Sequence, residues 1–153
     1  MDVEWRPFYL RPDTPPEGME LPEYIKRARA NGSEERLRSI ANEYGMKFES
    51  TERIYNTRLA HEATEYAREH GKGNEFHKVV FRKVYAEGGD PSQWDMLRSV
   101  AEEVGLNADE MQSEVNGEKF TANVAEQVQW AYQIGVSGVP TYVINDRYAL
   151  VGA

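Results

Sequence analysis

Cysteine is absent from all 153 residues. That excludes disulfides, thiolate zinc sites and a cysteine nucleophile within this polypeptide. Long apolar runs are also missing, and nothing approaches the roughly 18 residues of a membrane span. Positive charge is in deficit: Lys+Arg is 18 against Asp+Glu 26, a net charge of −8. An acidic chain is a poor partner for nucleic acid or anionic membranes, which require clustered positive charge. The start, Met1-Asp2-Val3-Glu4-Trp5-Arg6, has neither a basic region nor an apolar one. The expected location is therefore the cytoplasm.

What is present is ordinary for one globular domain. Apolar residues make up 40% and charged residues 29%, enough for a packed core at this length. Asp2 to Leu10 reads as a strand, with Val3 and Trp5 alternating with Glu4 and Arg6. The alternation slips at Pro7, which predicts a bulge or a strand end there. Residues 11–18 carry three prolines and Gly18 and read as a loop.

From about Leu21 to Gly135 the pattern is helical. Ser33 begins a partial capping pattern, and Leu37, Ile40, Ala41 and Tyr44 share one helical face before Gly45. Thr57 opens a helix with Ala60, Ala63, Thr64 and Ala67 on one side. The next carries Phe76, Val79, Val80 and Val84 and stops at Gly88-Gly89. Asp90-Pro91 predicts the start of a fourth, with Trp94, Leu97, Ala101 and Val104. A shorter helix holds Met111 and Val115, and a last one runs from about Glu118 to Ile134. Thr141–Ile144 and Tyr148–Val151 are β-prone, and Asn145-Asp146 between them suits a tight hairpin.

The order is thus strand, helical block, hairpin, and the strands at the two ends are expected to pair in one small sheet. His61 and Glu65, four apart, would share a helix face, but two ligands are too few for a metal site. Trp5, Trp94 and Trp130 are scattered and read as packing residues. Glu102-Glu103 reads as a solvated helix face. Gly71-Lys72-Gly73-Asn74 lacks phosphate-loop spacing and reads as a turn between helices.

Three stretches together resemble one family. Glu4-Trp5-Arg6-Pro7-Phe8-Tyr9-Leu10-Arg11-Pro12 resembles the second strand of FrnE-type, DsbA-like proteins of the thioredoxin superfamily. Asn56-Thr57-Arg58-Leu59-Ala60-His61, with Tyr66-Ala67, is similar to their helical-insertion motif. Gly135-Val136-Ser137-Gly138-Val139-Pro140-Thr141-Tyr142 resembles their cis-proline loop, and Tyr148 to Ala153 their last strand. The resemblance implies an α/β fold: a truncated thioredoxin-like sheet with a large all-helical insertion. It divides the chain into residues 1–20 (strand and connector), 21–135 (helical insertion) and 136–153 (loop and hairpin).

The family's first strand and Cys-x-x-Cys helix have no counterpart here, nor does its C-terminal helix, so no catalytic residue carries over. What carries over is substrate binding at Gly138, Val139 and Pro140. In the family the backbone before this proline, here Val139, pairs with extended substrate peptide. His61 would orient the insertion near the cleft. The resemblance implies an extended peptide or thiol substrate for the parent family and no cofactor, and predicts that the chain is inactive by itself. The same architecture occurs in glutathione-dependent kappa-type transferases and hydroxychromene-carboxylate isomerases, whose loop usually has Phe where Ser137 stands. A third reading is a non-catalytic peptide-binding or oligomerising module. An incomplete sheet exposes edges, which predicts a homo-oligomer.

Overall fold

The computed structural model describes residues 3–145 and 147–152. Met1, Asp2, Asp146 and Ala153 lie outside the described residues. So do the parts of the leader, first-strand, hairpin-turn and last-strand expectations that fall on them.

Helix α3 (Arg58–Glu69) is the centre of the molecule. It places a small residue on the inner face nearly every turn, and Ala63 and Ala67 are fully buried beside Tyr66. Small side chains let four neighbouring helices approach closely. These are α4 (Gly73–Glu87), α5 (Trp94–Glu103), α6 (Ala108–Asn116) and α7 (Thr121–Gln133). The first three contribute Phe76, Leu97, Val100, Met111 and Val115 to one core, and α7 buries Val124, Val128 and Ala131. Fully burying each such side chain contributes about 1.5–3 kcal/mol.

Two helices precede this bundle, α1 (Glu23–Ala30) and α2 (Ser33–Glu43). Neither buries a residue. They are joined through Gly32, whose φ of 85° makes it the left-handed N-cap of α2. Ser33 is therefore the first helical residue and makes no side-chain cap bond, which corrects its reading as a cap.

Two further helix starts differ from expectation. Asp90-Pro91 forms a turn in which Asp90 accepts from the Ser92 N–H at 2.8 Å, and α5 begins only at Trp94. Glu118 has φ 59° and ends the preceding turn, so α7 begins at Thr121. Asn107 is a helix cap that the hydrophobic pattern does not mark: its side chain accepts from the N–H groups of Asp109 and Glu110.

The β-structure departs most. The two strands at the chain's C-terminal side form a hairpin, β3 (Thr141–Ile144) and β4 (Tyr148–Val151), in antiparallel register with Tyr142 opposite Leu150. A separate ladder joins β1 (Met19–Glu20) to β2 (Arg53–Ile54). Gly18 makes that approach feasible, because a Cβ there would lie 2.6 Å from the Ile54 carbonyl oxygen. The expected strand up to Leu10 is not one: residues 3–10 pair with no strand, and the two sheets do not join. The alternating pattern is present, but a strand needs a partner, and side chains of the helical bundle hold this segment instead. No helix among the described residues is long and apolar enough to cross a membrane.

Candidate functional site

The N-terminal segment lies on the bundle through a row of side-chain contacts. Trp5 stacks on His77 of α4 at 4.5 Å between ring centroids. Arg68 of α3 bridges Glu4 at 3.0 Å and donates to the Trp5 carbonyl. Arg6 lies over the ring of Trp130 at 4.8 Å. Phe8 packs on Tyr132 of α7, whose hydroxyl donates to the Tyr9 carbonyl at 2.8 Å. Tyr9 meets His61 edge to face at 5.4 Å.

His61 therefore faces the segment through its contact with Tyr9. Burial is the main cause that lowers its pKa to about 4, with His77 nearby adding to it. Burial also lowers His77, with Arg68 the second cause. Glu65, which the helix pattern paired with His61, turns to Arg68 at 3.3 Å instead. The two side chains do separate jobs on one helix.

Beneath Tyr9 lies a buried carboxylate. Glu62 is 1% exposed, accepts from Thr121 of α7 at 3.1 Å and pairs with Arg58 at 3.2 Å. Its Oε2 has no partner among the described residues. Burial raises the Tyr9 pKa, and the Glu62 charge raises it further. Asn56 is accounted for structurally: its side chain accepts from the Arg58 N–H at 2.9 Å and donates to the Thr14 carbonyl at 2.7 Å. It closes the turn that leads into α3 and ties down the proline-rich loop.

The loop after α7 closes the same side of the molecule. Gly135 has φ 85°, and the Val136 N–H donates to the Ala131 carbonyl at 2.9 Å, which ends the helix. The Val139–Pro140 peptide bond is cis. The Gly138 carbonyl accepts from the Thr141 hydroxyl at 2.7 Å, and the Pro140 carbonyl accepts from the Gly152 N–H at 2.9 Å. Val139 between them is 54% exposed, and its N–H and C=O have no intrachain partner among the described residues. Gly138, Val139 and Pro140 thus sit together in one turn, with Val139 presenting both backbone groups.

Behind the hairpin is a cleft of about 250 Å³, lined by Trp130, Ile134 and Val143 among others. Tyr142 and Leu150 pair across the strands, as do Ile144 and Tyr148, and all four are exposed. A larger open cleft of about 600 Å³ lies elsewhere, between α1 and the β1–β2 ladder. Its lining includes Lys26, Thr51 and Arg53 and nothing from the proline loop.

Sequence reading missed Glu62, Arg68, His77 and Tyr132. Each acts on a segment more than fifty residues away in the chain, and no local spacing marks such a contact.

Comparison with known proteins agrees with this architecture. The family model for the DSBA-like thioredoxin domain matches residues 1–153. The uncharacterized protein YwbO of Bacillus subtilis (strain 168) is 28% identical over 149 residues, covering 95% of this chain and 73% of the relative. The 2-hydroxychromene-2-carboxylate isomerase of Sphingobium xenophagum is 31% identical over 82 residues, 54% of this chain and 42% of that protein. Among solved structures, the probable DsbA oxidoreductase SCO1869 of Streptomyces coelicolor superposes with a TM-score of 0.82 at 21% identity. That match covers 96% of this chain and 67% of SCO1869. A 2-hydroxychromene-2-carboxylate isomerase structure gives 0.73 at 22% identity, covering 86% and 64%. The fold is thioredoxin-like, a mixed α/β fold with a helical insertion. The chain belongs to the DSBA-like thioredoxin domain family.

Proposed function

We propose that these 153 residues form the substrate-side part of a DsbA-like thiol–disulfide oxidoreductase of the FrnE type. The Val139 backbone binds extended peptide, and thiol chemistry is supplied from outside this sequence. The observation that carries the reading is the exposed, unpartnered N–H and C=O of Val139 in a chain of this family. A peptide laid alongside in extended form would accept from that N–H and donate to that C=O, which is strand addition. Two such bonds contribute about 0.5–1.5 kcal/mol each. Binding on this basis is weak and tolerant of sequence, as suits an enzyme acting on many unfolded substrates. The reading carries with it a cytoplasmic setting and no cofactor within these residues.

Thiol–disulfide exchange requires attack by a thiolate. With no cysteine in the sequence, the chain by itself leaves insulin reduction by dithiothreitol at the uncatalysed rate while binding carboxymethylated insulin B chain in calorimetry. Catalytic turnover by this chain, or no binding of the peptide, would sink the proposal.

The similarity to an isomerase over 82 residues favours one alternative, a relative of the glutathione-dependent kappa-type transferases and hydroxychromene-carboxylate isomerases. Calorimetry with reduced glutathione separates the two. Saturable binding supports the alternative, and no heat of binding leaves the oxidoreductase reading.

A further inference from the structure

We propose that helix α2 is the interface between two copies of this chain, packed antiparallel about a two-fold axis. The proposal is independent of the peptide reading and rests on a different part of the molecule.

Leu37, Ile40 and Tyr44 recur at spacings of three and four, so they form a single stripe along α2. Such a stripe ordinarily faces a core. Here it faces outward: Leu37 is 52% exposed, Ile40 46% and Tyr44 75%. The other flank of α2 is occupied, because Glu34 pairs with Arg38 at 2.9 Å and with Arg29 of α1 at 3.6 Å. The helix is therefore tied to α1 by one ion pair, while its apolar stripe stays exposed among the described residues.

The flanking charges identify the occupant. Arg36 and Glu43 are both exposed, and neither makes an ion pair with a described residue. They are seven residues apart, so they sit two turns apart on the same side of the stripe. In an antiparallel pair related by a two-fold axis, equivalent flanks face each other and every contact occurs twice. Arg36 of one copy then meets Glu43 of its partner, and the reverse, while Leu37, Ile40 and Tyr44 of both copies fill the space between. The pattern complements itself in this orientation and not in a parallel one, which would turn Arg36 and Glu43 toward the partner's opposite flank, where Glu34 is already paired with Arg38 and Arg29. A lipid surface is a poor occupant, since it favours helices with a basic polar face, and α2 carries Glu34, Glu35 and Glu43.

An 11-residue helix is only about 16 Å long. One helix pair buries less than the roughly 800 Å² per partner of a standard stable interface. The dimer is therefore a weak one, populated at micromolar concentration and above.

Sedimentation velocity over a concentration series from low micromolar to near-millimolar tests this, with circular dichroism confirming that each variant keeps its helix content and melting temperature. The wild-type chain shifts from monomer to dimer. Arg36→Glu and Glu43→Arg each weaken dimerisation by at least about fivefold, through like charges brought face to face. The double variant R36E/E43R returns to within about twofold of wild type, because the pair is reversed rather than removed. Ile40→Asp abolishes the dimer. A monomer throughout the series overturns the proposal and assigns the stripe to another protein. A dimer indifferent to the single reversals, or a double variant no better than the singles, overturns it equally by placing the interface on another face.

Discussion

Glu62 is where the polar packing around α3 converges. Its carboxylate joins α3 to the first residue of α7 through Thr121, holds Arg58 and lies near the Tyr9 hydroxyl. Removing it leaves the Thr121 hydroxyl without its acceptor and opens space in a closed site. Arg58 is half exposed and regains water, which limits the loss. Glu62→Ala is expected to lower unfolding free energy by about 1–3 kcal/mol, measured by urea denaturation. A change within about 0.5 kcal/mol, the usual range for surface substitutions, would mean that the carboxylate is solvated after all.

His61 gives a pH dependence whose sign is fixed. Its folded pKa, about 4, lies below the ordinary 6.5, so between those values the unfolded chain binds the extra proton. The stabilisation from neutral His61 is complete above pH 6.5 and is lost as pH falls toward 4. His77, also lowered by burial, acts in the same direction. His61→Phe should flatten the decline between pH 6.5 and 4, because the variant has no titrating group at this position. Stability measured by denaturation at a series of pH values decides the matter, and an unchanged slope in the variant would refute it. None of these roles was legible in the sequence. His61 and Glu65 looked like a pair because they share a helix face, whereas His61 meets Tyr9 of a distant segment and Glu65 pairs with Arg68 one turn on.

Elements were more legible than residues, for a physical reason. Helix stops are written locally, as at Gly45, Gly71, Gly88, Gly105 and Gly135, all of which have positive φ. The buried sides of α3 to α6 were equally readable from periodicity, because each packs one stripe into one core. Starts were less so, since Gly32 and Asn107 act through backbone geometry and a side-chain cap that the apolar pattern does not record. The first segment failed for a different cause. Alternation specifies which side chains share a face, not whether another strand lies alongside, and residues 3–10 have none.

The close packing of α3 makes its own prediction. Ala63 is fully buried where α3 meets its neighbours, so Ala63→Leu inserts volume that the core cannot accommodate in relaxed rotamers. A loss of about 1–3 kcal/mol is expected, seen as a lower urea midpoint with unchanged m-value. A neutral or stabilising outcome would indicate a void beside α3 and a looser bundle than described.

For the whole molecule, architecture and chemistry separate. The helical bundle carries a continuous core, while the β-elements at either side of it remain open on edges and faces. Val139, Tyr142, Ile144, Tyr148 and Leu150 are all more than two-fifths exposed. The loop motif and the fold class were readable from short stretches because turn chemistry and the family pattern are local in sequence. The separation of the two sheets was not, because it depends on which strands are present to pair.

The central claim is that the Val139 backbone receives an extended peptide. Amide hydrogen exchange at Val139, followed by NMR with and without saturating carboxymethylated insulin B chain, tests it most directly. The account predicts fast exchange in the free chain and at least about tenfold slowing in the complex, as for an amide newly hydrogen-bonded with about 1.4 kcal/mol of protection. Exchange at Val139 that is already slow without peptide, or that stays unchanged when peptide is bound, would contradict it.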